Sequence, residues 1–272
     1  MINTIVDKVN DILRLESVKD TVSKNLYRYL NKKIDNSADV CFLNYGFSPI
    51  GTEPVQLEPA DEPNRIYIQL YHHVVSRVDL TGRDVLEVSS GRGGGAKYIK
   101  RYLKARRMCG IDRQPRAVKF CNKQHGEPGL GYICGDAQRL PVDSESCDAV
   151  VNVEASHDYT DVPKFLSEVR RVLRPGGHFL YTDFRNEEEV PAWMKQIAES
   201  GLTVIEDEDI TLNVAKGLAD NTEHNNELVK KLAPTLLRPL FRQFAGVEGS
   251  CIQQRFATGK SRYQRFLIQK QA

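Results

Sequence analysis

No apolar run in the sequence approaches the roughly 20 residues that a membrane-spanning helix requires, which excludes a membrane-inserted chain of the helical kind. No excess of either charge is present: 38 Lys and Arg stand against 36 Asp and Glu, a net charge of +2. Such a balance is too neutral for a dedicated nucleic-acid or membrane-surface binder. The cysteines Cys41, Cys109, Cys121, Cys134, Cys147 and Cys251 are scattered singly, with no paired spacing of the zinc-binding or redox type. Several fall within apolar runs, where cysteine behaves as a small hydrophobe, and the pattern fits a reducing cytoplasm. The start, MINTIVDKVNDILRLESVKD, lacks the basic, apolar and small-residue regions of a secretory signal, so a cytoplasmic location is expected. Internal repeats and low-complexity tracts are also missing. What remains is one large domain, since 272 residues suffice for a well-buried core.

From Asp84 onward, short apolar runs alternate with longer amphipathic ones, the pattern of a parallel sheet covered by helices. Strands are expected at Asp84–Val88, Met108–Asp112, Gly131–Gly135, Cys147–Val153, His178–Asp183, near Leu202–Glu206 and at Ser261–Lys270. Helices are expected near Gly94–Ala105, Pro115–His125, Pro163–Leu173 and Val190–Ser200, with a helical excursion from about Thr211 to Phe244. Pro115 and Pro163 sit where a first helical turn favours proline, and Arg174–Gly177 reads as the turn into the next strand. Before Asp84 the spacing predicts one or two helices over 3–34, an irregular connection, and a helix over Asn64–Val78.

DVLEVSSGRGGGAKYI puts a strand, a glycine cluster and a helix in immediate succession. Glycine lets the main chain approach a ligand, and the following helix end offers N–H groups and a positive dipole. Gly91 and Gly93, with Gly94, are the candidates for that approach. The spacing Gly91, Gly93, Ala96 also satisfies a dinucleotide fingerprint, so the loop alone does not separate NAD from other cofactors. Three acids stand at successive strand ends. Glu87 could accept a hydrogen bond or a cationic amino group, Asp112 could chelate ribose hydroxyls, and Asp136 lies beside a short turn suited to an adenine ring.

VLEVSSGRGGG, GIDRQPRAVKFC, GDAQRLP, CDAVVNVEASHDY and VRRVLRPGGHFLYTDF, in this order, resemble the motifs of class I S-adenosylmethionine-dependent methyltransferases. DEPNRIYIQLYH and NVEASHDY make the chain similar, more narrowly, to methyltransferases of polyketide pathways and of phthiotriolone-type lipids. Ser89 stands where many members have the first loop glycine. The resemblance implies an α/β fold, a Rossmann-like seven-stranded, mostly parallel sheet flanked by helices, with an antiparallel last strand. It divides the chain into a helical cap and cofactor lid (1–80), a cofactor-binding core (81–210), a helical substrate-covering insertion (211–245) and the closing strand (246–272). It further implies S-adenosyl-L-methionine as cofactor, with Glu87, Ser89, Gly91 and Gly93 along its methionine part. Asp112 and Arg113 would lie at the ribose, Asp136 and Ala137 at the adenine, and the Asn152 backbone at the carboxyl end. Tyr45, in LNYGF, matches the aromatic that closes over the cofactor in related enzymes, and packing within the cap would explain it equally well.

His157 follows the fourth strand at the edge where open α/β sheets bind ligands. An alcohol becomes a competent nucleophile when a base takes its proton, and imidazole titrates near neutrality. Asp183 or Asp158 could orient the ring; in similar O-methyltransferases a histidine here is the proposed base, often with an acid at the place of Asp183. Ser156 lacks the glycines of a nucleophile elbow. His72 and His73 have no second carboxylate–histidine cluster beside them, so no metal is expected. Leu212, Val214, Leu218, Leu228, Leu232, Leu236 and Leu237 could wall a lipophilic acceptor site or simply pack on the sheet. The expected partner is a hydrophobic small molecule, with no nucleic acid and no membrane insertion. Competing readings are N- or C-methylation, an NAD-dependent oxidoreductase lacking the usual Tyr-x-x-x-Lys, nucleic-acid base methylation, and a cofactor-binding scaffold without catalysis.

Overall fold

The computed structural model of the chain describes residues 40–271, with the side chains at 236, 240 and 244 left aside. The helices expected over 3–34 lie outside the described residues. Contacts group Cys41 onward into one unit with the sheet.

An irregular stretch leads through a 3₁₀ turn at Glu62–Asn64 into α1 (Arg65–Val75), which buries Ile68, Leu70, Tyr71, Val74 and Val75 at helical spacing. Then come β1 (Asp84–Val88), α2 (Gly94–Tyr102), β2 (Arg107–Asp112), α3 (Pro115–Gln124), β3 (Leu130–Cys134), β4 (Cys147–Val153) and α4 (Val162–Val172). Pro115 and Pro163 occupy first turns, and the Asp161 carboxylate caps α4 by accepting the Lys164 N–H at 2.8 Å. The chain continues with β5 (Leu173–Asn186), α5 (Val190–Ala198), β6 (Thr203–Asp209), α6 (Thr211–Asp220), α7 (Thr222–Leu232), α8 (Arg238–Phe244), α9 (Cys251–Ala257) and β7 (Ser261–Gln269).

The sheet runs β3-β2-β1-β4-β5-β7-β6, with β7 antiparallel to both neighbours. Alternate residues of the central strands face opposite layers, as the period of two requires. Val85, Ala149, Val151 and Leu180 join one apolar cluster with α1, α2 and α6. Leu86, Val88, Val150, Phe179 and Tyr181 join the other with α4 and Trp193. Each large apolar side chain so buried stabilises the fold by roughly 1.5–3 kcal/mol. Strand order reverses between β1 and β4, so a crevice opens at their carboxyl ends.

Two local expectations are corrected. Arg174–Gly177 is a bulge inside β5, not a turn before it: Leu173 already pairs with Cys147, the next pair is Ala149 with His178, and Gly176 takes φ 76°. The segment before β7 contains α9, capped by Ser250, whose Phe256 is fully buried. Its polar run, CIQQRFA, leaves one apolar anchor too few to read as amphipathic.

Candidate active site

The loop after β1 is held in left-handed backbone at Ser89 (φ 58°), Gly91 (52°) and Gly93 (80°). For serine this conformation costs roughly 1–2 kcal/mol. The Ser89 hydroxyl shares a 2.6 Å hydrogen bond with the Tyr159 hydroxyl, which in turn accepts Asn152 Nδ2–H at 3.0 Å, and these bonds secure the strained residue. Around the glycines the structure corrects the expected roles. Only Gly91 borders the cleft; a Cβ there would meet nothing closer than Leu43 Cδ1 at 3.5 Å. A Cβ on Gly93 would strike Tyr132 and His125, and one on Gly94 would lie 2.6 Å from the Cys41 carbonyl and 2.8 Å from the Phe42 ring. The α2 amino end is thus covered by protein, with Gly94 N–H donating to Cys41 O at 3.0 Å. Three of the cluster's glycines, Gly93, Gly94 and Gly95, admit neighbouring chain rather than ligand.

A cleft of about 320 Å³ opens above the carboxyl ends of β1 to β4. Ser89, Gly91, Asp112, Arg113, Asp136 and Ala137 line it, as does Tyr159. Asp112 Oδ2 accepts Gly91 N–H at 2.9 Å and Oδ1 accepts Gln114 N–H at 2.8 Å, which ties the glycine loop to the end of β2. Burial pushes the Asp112 carboxyl up, partly offset by those two amides and by Arg113. Asp136 Oδ1 accepts Gln138 N–H at 2.9 Å and so shapes the turn that carries Ala137.

Other expected cofactor residues sit behind this surface. Glu87 is 1% exposed; its Oε1 accepts the Tyr71 hydroxyl at 2.7 Å, and burial pushes its carboxyl up to about 7 against the pull of Tyr71 and Ala96. Asn152 is fully buried, donating to Val88 O at 2.9 Å and to Tyr159. Tyr45 does not reach the cleft: its ring packs on Phe184 and Phe256 with centroids at 5.6 and 5.8 Å. The residues of its segment that line the cleft are Cys41, Phe42, Leu43 and Asn44, so Phe42 is the aromatic at the wall. LNYGF and VCFL do not differ in any pattern that would show which ring turns inward. Tyr159 and Glu154, both lining the cleft, were missed; their place just past β4 was the available signal.

His157 lies in the 3₁₀ turn Ser156–Asp158, between cleft-lining Ala155 and Asp158. Its Nδ1 is 2.7 Å from Asp183 Oδ1, and its ring packs on Phe184 at 4.4 Å. Nε2 stands 3.9 Å from the Asp158 carboxylate, and the side chain keeps 27% exposure. Asp183, fully buried, also accepts from His157 N–H (2.9 Å), Ser156 Oγ (2.6 Å) and Phe184 N–H (2.9 Å) and lies 3.2 Å from Arg185 Nη1. Burial would raise the Asp183 carboxyl, yet His157, Arg185 and Ser156 bring it down to about 2. Burial would lower the His157 imidazole, but the Asp183 hydrogen bond and charge, with Asp158 and Glu154, hold it above its ordinary value. Of the two expected acids, Asp183 is the one hydrogen-bonded to the ring, and Asp158 only flanks it. His72 and His73 lie elsewhere, bonded to Tyr98 at 2.7 Å and Glu208 at 3.1 Å.

The insertion does not line this cleft. Val214 and Leu218 are fully buried on the sheet side, Leu228, Leu232 and Leu237 are half-buried, the Leu236 side chain lies outside the described residues, and Leu212 is 67% exposed. Thr211, Leu212 and Asn213 border a separate cavity with Phe47, Ile50, His73 and Phe256.

The chain is 40% identical over 232 residues to the phthiotriol/phenolphthiotriol dimycocerosates methyltransferase of Mycobacterium leprae (strain TN), covering 85% of this chain and 86% of that one. It belongs to the S-adenosylmethionine-dependent methyltransferases. The model of the methyltransferase domain family matches residues 86–181. A fatty-acid O-methyltransferase of Mycolicibacterium smegmatis (strain ATCC 700084 / mc(2)155) is 39% identical over 227 residues, covering 84% of this chain and 82% of that one. Among solved structures, geranyl diphosphate C-methyltransferase from Streptomyces coelicolor A3(2) shares the fold with a TM-score of 0.63 at 14% identity, covering 89% and 98% of the two chains. Membership excludes the dinucleotide-dependent oxidoreductase that the glycine spacing alone allowed.

The residues present fit S-adenosylmethionine. Asp112 offers a carboxylate at a strand end, Gly91 leaves the loop open, Ala137 gives an apolar contact, and Ser90 Oγ, in the cleft lining, is buried without a hydrogen-bond partner among the described residues. Asp112→Ala should weaken binding of S-adenosylhomocysteine by about 1–3 kcal/mol by calorimetry, through lost acceptors and a loosened loop; unchanged affinity would remove Asp112 from the site.

The raised Glu87 has a stability signature. Its folded value of about 7 lies above its ordinary 4.5, so its contribution is full below pH 4.5 and lost as pH rises through 7. Glu87→Gln should therefore gain stability relative to the parent between pH 5 and pH 8, on the order of 2–3 kcal/mol. Urea melts at the two pH values check this, and a constant difference between the proteins would contradict it.

Proposed function

We propose that the protein transfers a methyl group from S-adenosylmethionine to a hydroxyl of a hydrophobic small molecule, a polyketide-derived or fatty-acyl lipid of secondary metabolism, with His157 as general base and Asp183 as its orienting acid. The observation that carries this reading is the 2.7 Å contact of His157 Nδ1 with a fully buried Asp183. It leaves Nε2 as the nitrogen available to an acceptor. The bound cofactor supplies an electrophilic methyl carbon on a sulfonium. Everything else falls to the chain's own groups: Asp183 fixes ring and tautomer, Nε2 takes the hydroxyl proton, and the charge that appears on the ring is balanced by a carboxylate already in contact. Phe184 holds the ring from its face.

The preference for an apolar acceptor is supported by the named lipid substrates of the relatives at 40% and 39% identity. A second cavity supports it in part: Phe47, Ile50, Leu212 and Phe256 give it an apolar side, while His73, Glu208, Asp209 and Arg262 make the rest charged or polar. Phe256 touches Phe184, which touches His157, so that cavity stands one aromatic layer from the proposed base. The nearly balanced charge gives no support to a polyanionic substrate.

The relative named a fatty-acid O-methyltransferase favours a second reading, in which the acceptor is a carboxylate. A carboxylate carries no proton at neutral pH, and His157 would then bind it as a cation. Incubation with methyl-labelled S-adenosylmethionine and a matched pair of substrates, a long-chain alcohol and the corresponding fatty acid, separates the two by mass spectrometry of the product. Label in an ether supports the hydroxyl reading, label in an ester supports the second, and label in neither, with transfer to the corresponding long-chain amine when that is added instead, would overturn both.

A further inference from the structure

Glu154 follows the last residue of β4 in left-handed backbone, φ 48°. A non-glycine residue stays there only when its surroundings hold it. Its N–H donates to Thr182 O at 3.0 Å. A single carboxyl oxygen, Oε1, accepts both Tyr45 N–H at 2.8 Å and the Tyr263 hydroxyl at 2.6 Å. Tyr263, on β7, is fully buried, so one end of this arrangement is fixed in the sheet. The other end is the segment that forms the near wall of the cleft.

Several contacts hold that segment: the Phe42 ring packs on Tyr67 and Tyr71, Asn44 Nδ2–H donates to Tyr67 O at 3.4 Å, and the Tyr45 ring packs on Phe184 and Phe256. Cys41 O accepts from Gly94 N–H at one end, while Phe47 N–H and Ser48 N–H donate to Ile66 O and Asn213 O at the other. The cleft-lining Phe42, Leu43 and Asn44 lie between, and the bond from Tyr45 to Glu154 joins them to the end of β4. The carboxylate therefore stands just past β4, on the chain leading to His157, while the segment it holds walls the cleft.

We propose that Glu154 is a positioning residue for cofactor binding: through Tyr45 N–H, and braced by Tyr263, it fastens the Cys41–Gly46 segment against the cleft. This rests on the reading of that cleft as the cofactor site. Without the bond the segment samples open arrangements, and the apparent affinity falls by the fraction of molecules that remain closed.

The test uses the whole protein with S-adenosylhomocysteine as probe. Glu154→Ala raises its Kd about 10-fold or more, and hydrogen exchange in the peptide containing Tyr45 speeds up by a similar factor. Glu154→Gln, whose amide oxygen still accepts both donors, restores the Kd to within about 3-fold and recovers the slow exchange. If Glu154→Ala does not fold, Tyr263→Phe decides, with both readouts moving in the same direction by about 3-fold. A fall in melting temperature with Kd and Tyr45 exchange within twofold of the parent overturns the proposal. Asp112→Ala separates the two levels: if it weakens binding while the Glu154 and Tyr263 variants do not, the cleft stands and the fastening role fails. If it too leaves binding unchanged, the cleft assignment fails and the proposal with it.

Discussion

Replacing His157 by alanine is expected to cut methyl transfer to a hydroxyl acceptor about 100-fold or more, the usual worth of a positioned general base. Affinity for S-adenosylhomocysteine should stay within about twofold, because His157 is not among the residues lining the cleft proposed to hold it. The ring has what a base needs: Nδ1 is engaged by Asp183 at 2.7 Å, and the side chain keeps 27% exposure. Its raised proton affinity suits proton removal in the neutral range and predicts a rate that climbs with pH through the imidazole titration. Steady-state rates of parent and variant on the acceptor that becomes labelled provide the check. A fully active variant would remove His157 as base and favour a carboxylate acceptor.

Asp183→Asn should lower turnover at least as far and also cost stability. The substitution removes the anion that faces His157, Ser156 and Arg185 in a fully buried position. Arg185, itself 9% exposed and stacked over Trp193 at 4.5 Å, is left without its counter-charge. Breaking a buried pair from one side typically costs about 3–5 kcal/mol, and losing the orienting acid leaves the imidazole free to take the wrong tautomer. The acid in question has its folded value lowered to about 2 from an ordinary 3.8, so its contribution is full above pH 3.8 and lost as pH falls through 2. The deficit of the variant should thus be larger at pH 5 than at pH 8, because the parent's imidazole, raised by Asp183, adds stability that is full below its ordinary 6.5 and lost as pH rises, and it should shrink again only in strong acid. Chemical denaturation across that range, together with turnover at pH 7, measures both effects. A variant as stable as the parent would show that Asp183 does not bear the charge assigned to it.

Much of the sheet was legible in the sequence because strands buried on both faces are continuous apolar runs. DVLEV and CDAVVNV bound β1 and β4 to the residue, and proline marks the starts of α3 and α4. The acids at strand ends could be placed for the same reason, since the end of a strand fixes the edge of the sheet. Whether such an acid faces ligand or core could not be read. Asp112 borders the cleft whereas Glu87, one strand over, is sealed behind Tyr71. That difference is made by α1, which lies outside the motif. The glycines show the same limit: Gly91, Gly93 and Gly94 read as ligand-facing, yet Tyr132 and His125 fill the space at Gly93, and Cys41 and Phe42 at Gly94. Tyr45 and Phe42 are three residues apart in an irregular stretch, where no period assigns a face. Glu154 and Tyr159 gained their places through partners more than 60 positions away, Tyr263 and Ser89, which only the folded chain brings near.

Where S-adenosylhomocysteine sits in crystals of this protein is the decisive observation. The nucleoside is expected between Gly91 and Ala137 with its ribose hydroxyls on Asp112, and its sulfur at the Glu154–Ala155 end, with room for one acceptor oxygen between that sulfur and His157 Nε2. A nucleoside bound away from this cleft, or a His157 ring turned from the sulfur with no path for an acceptor between them, would contradict it.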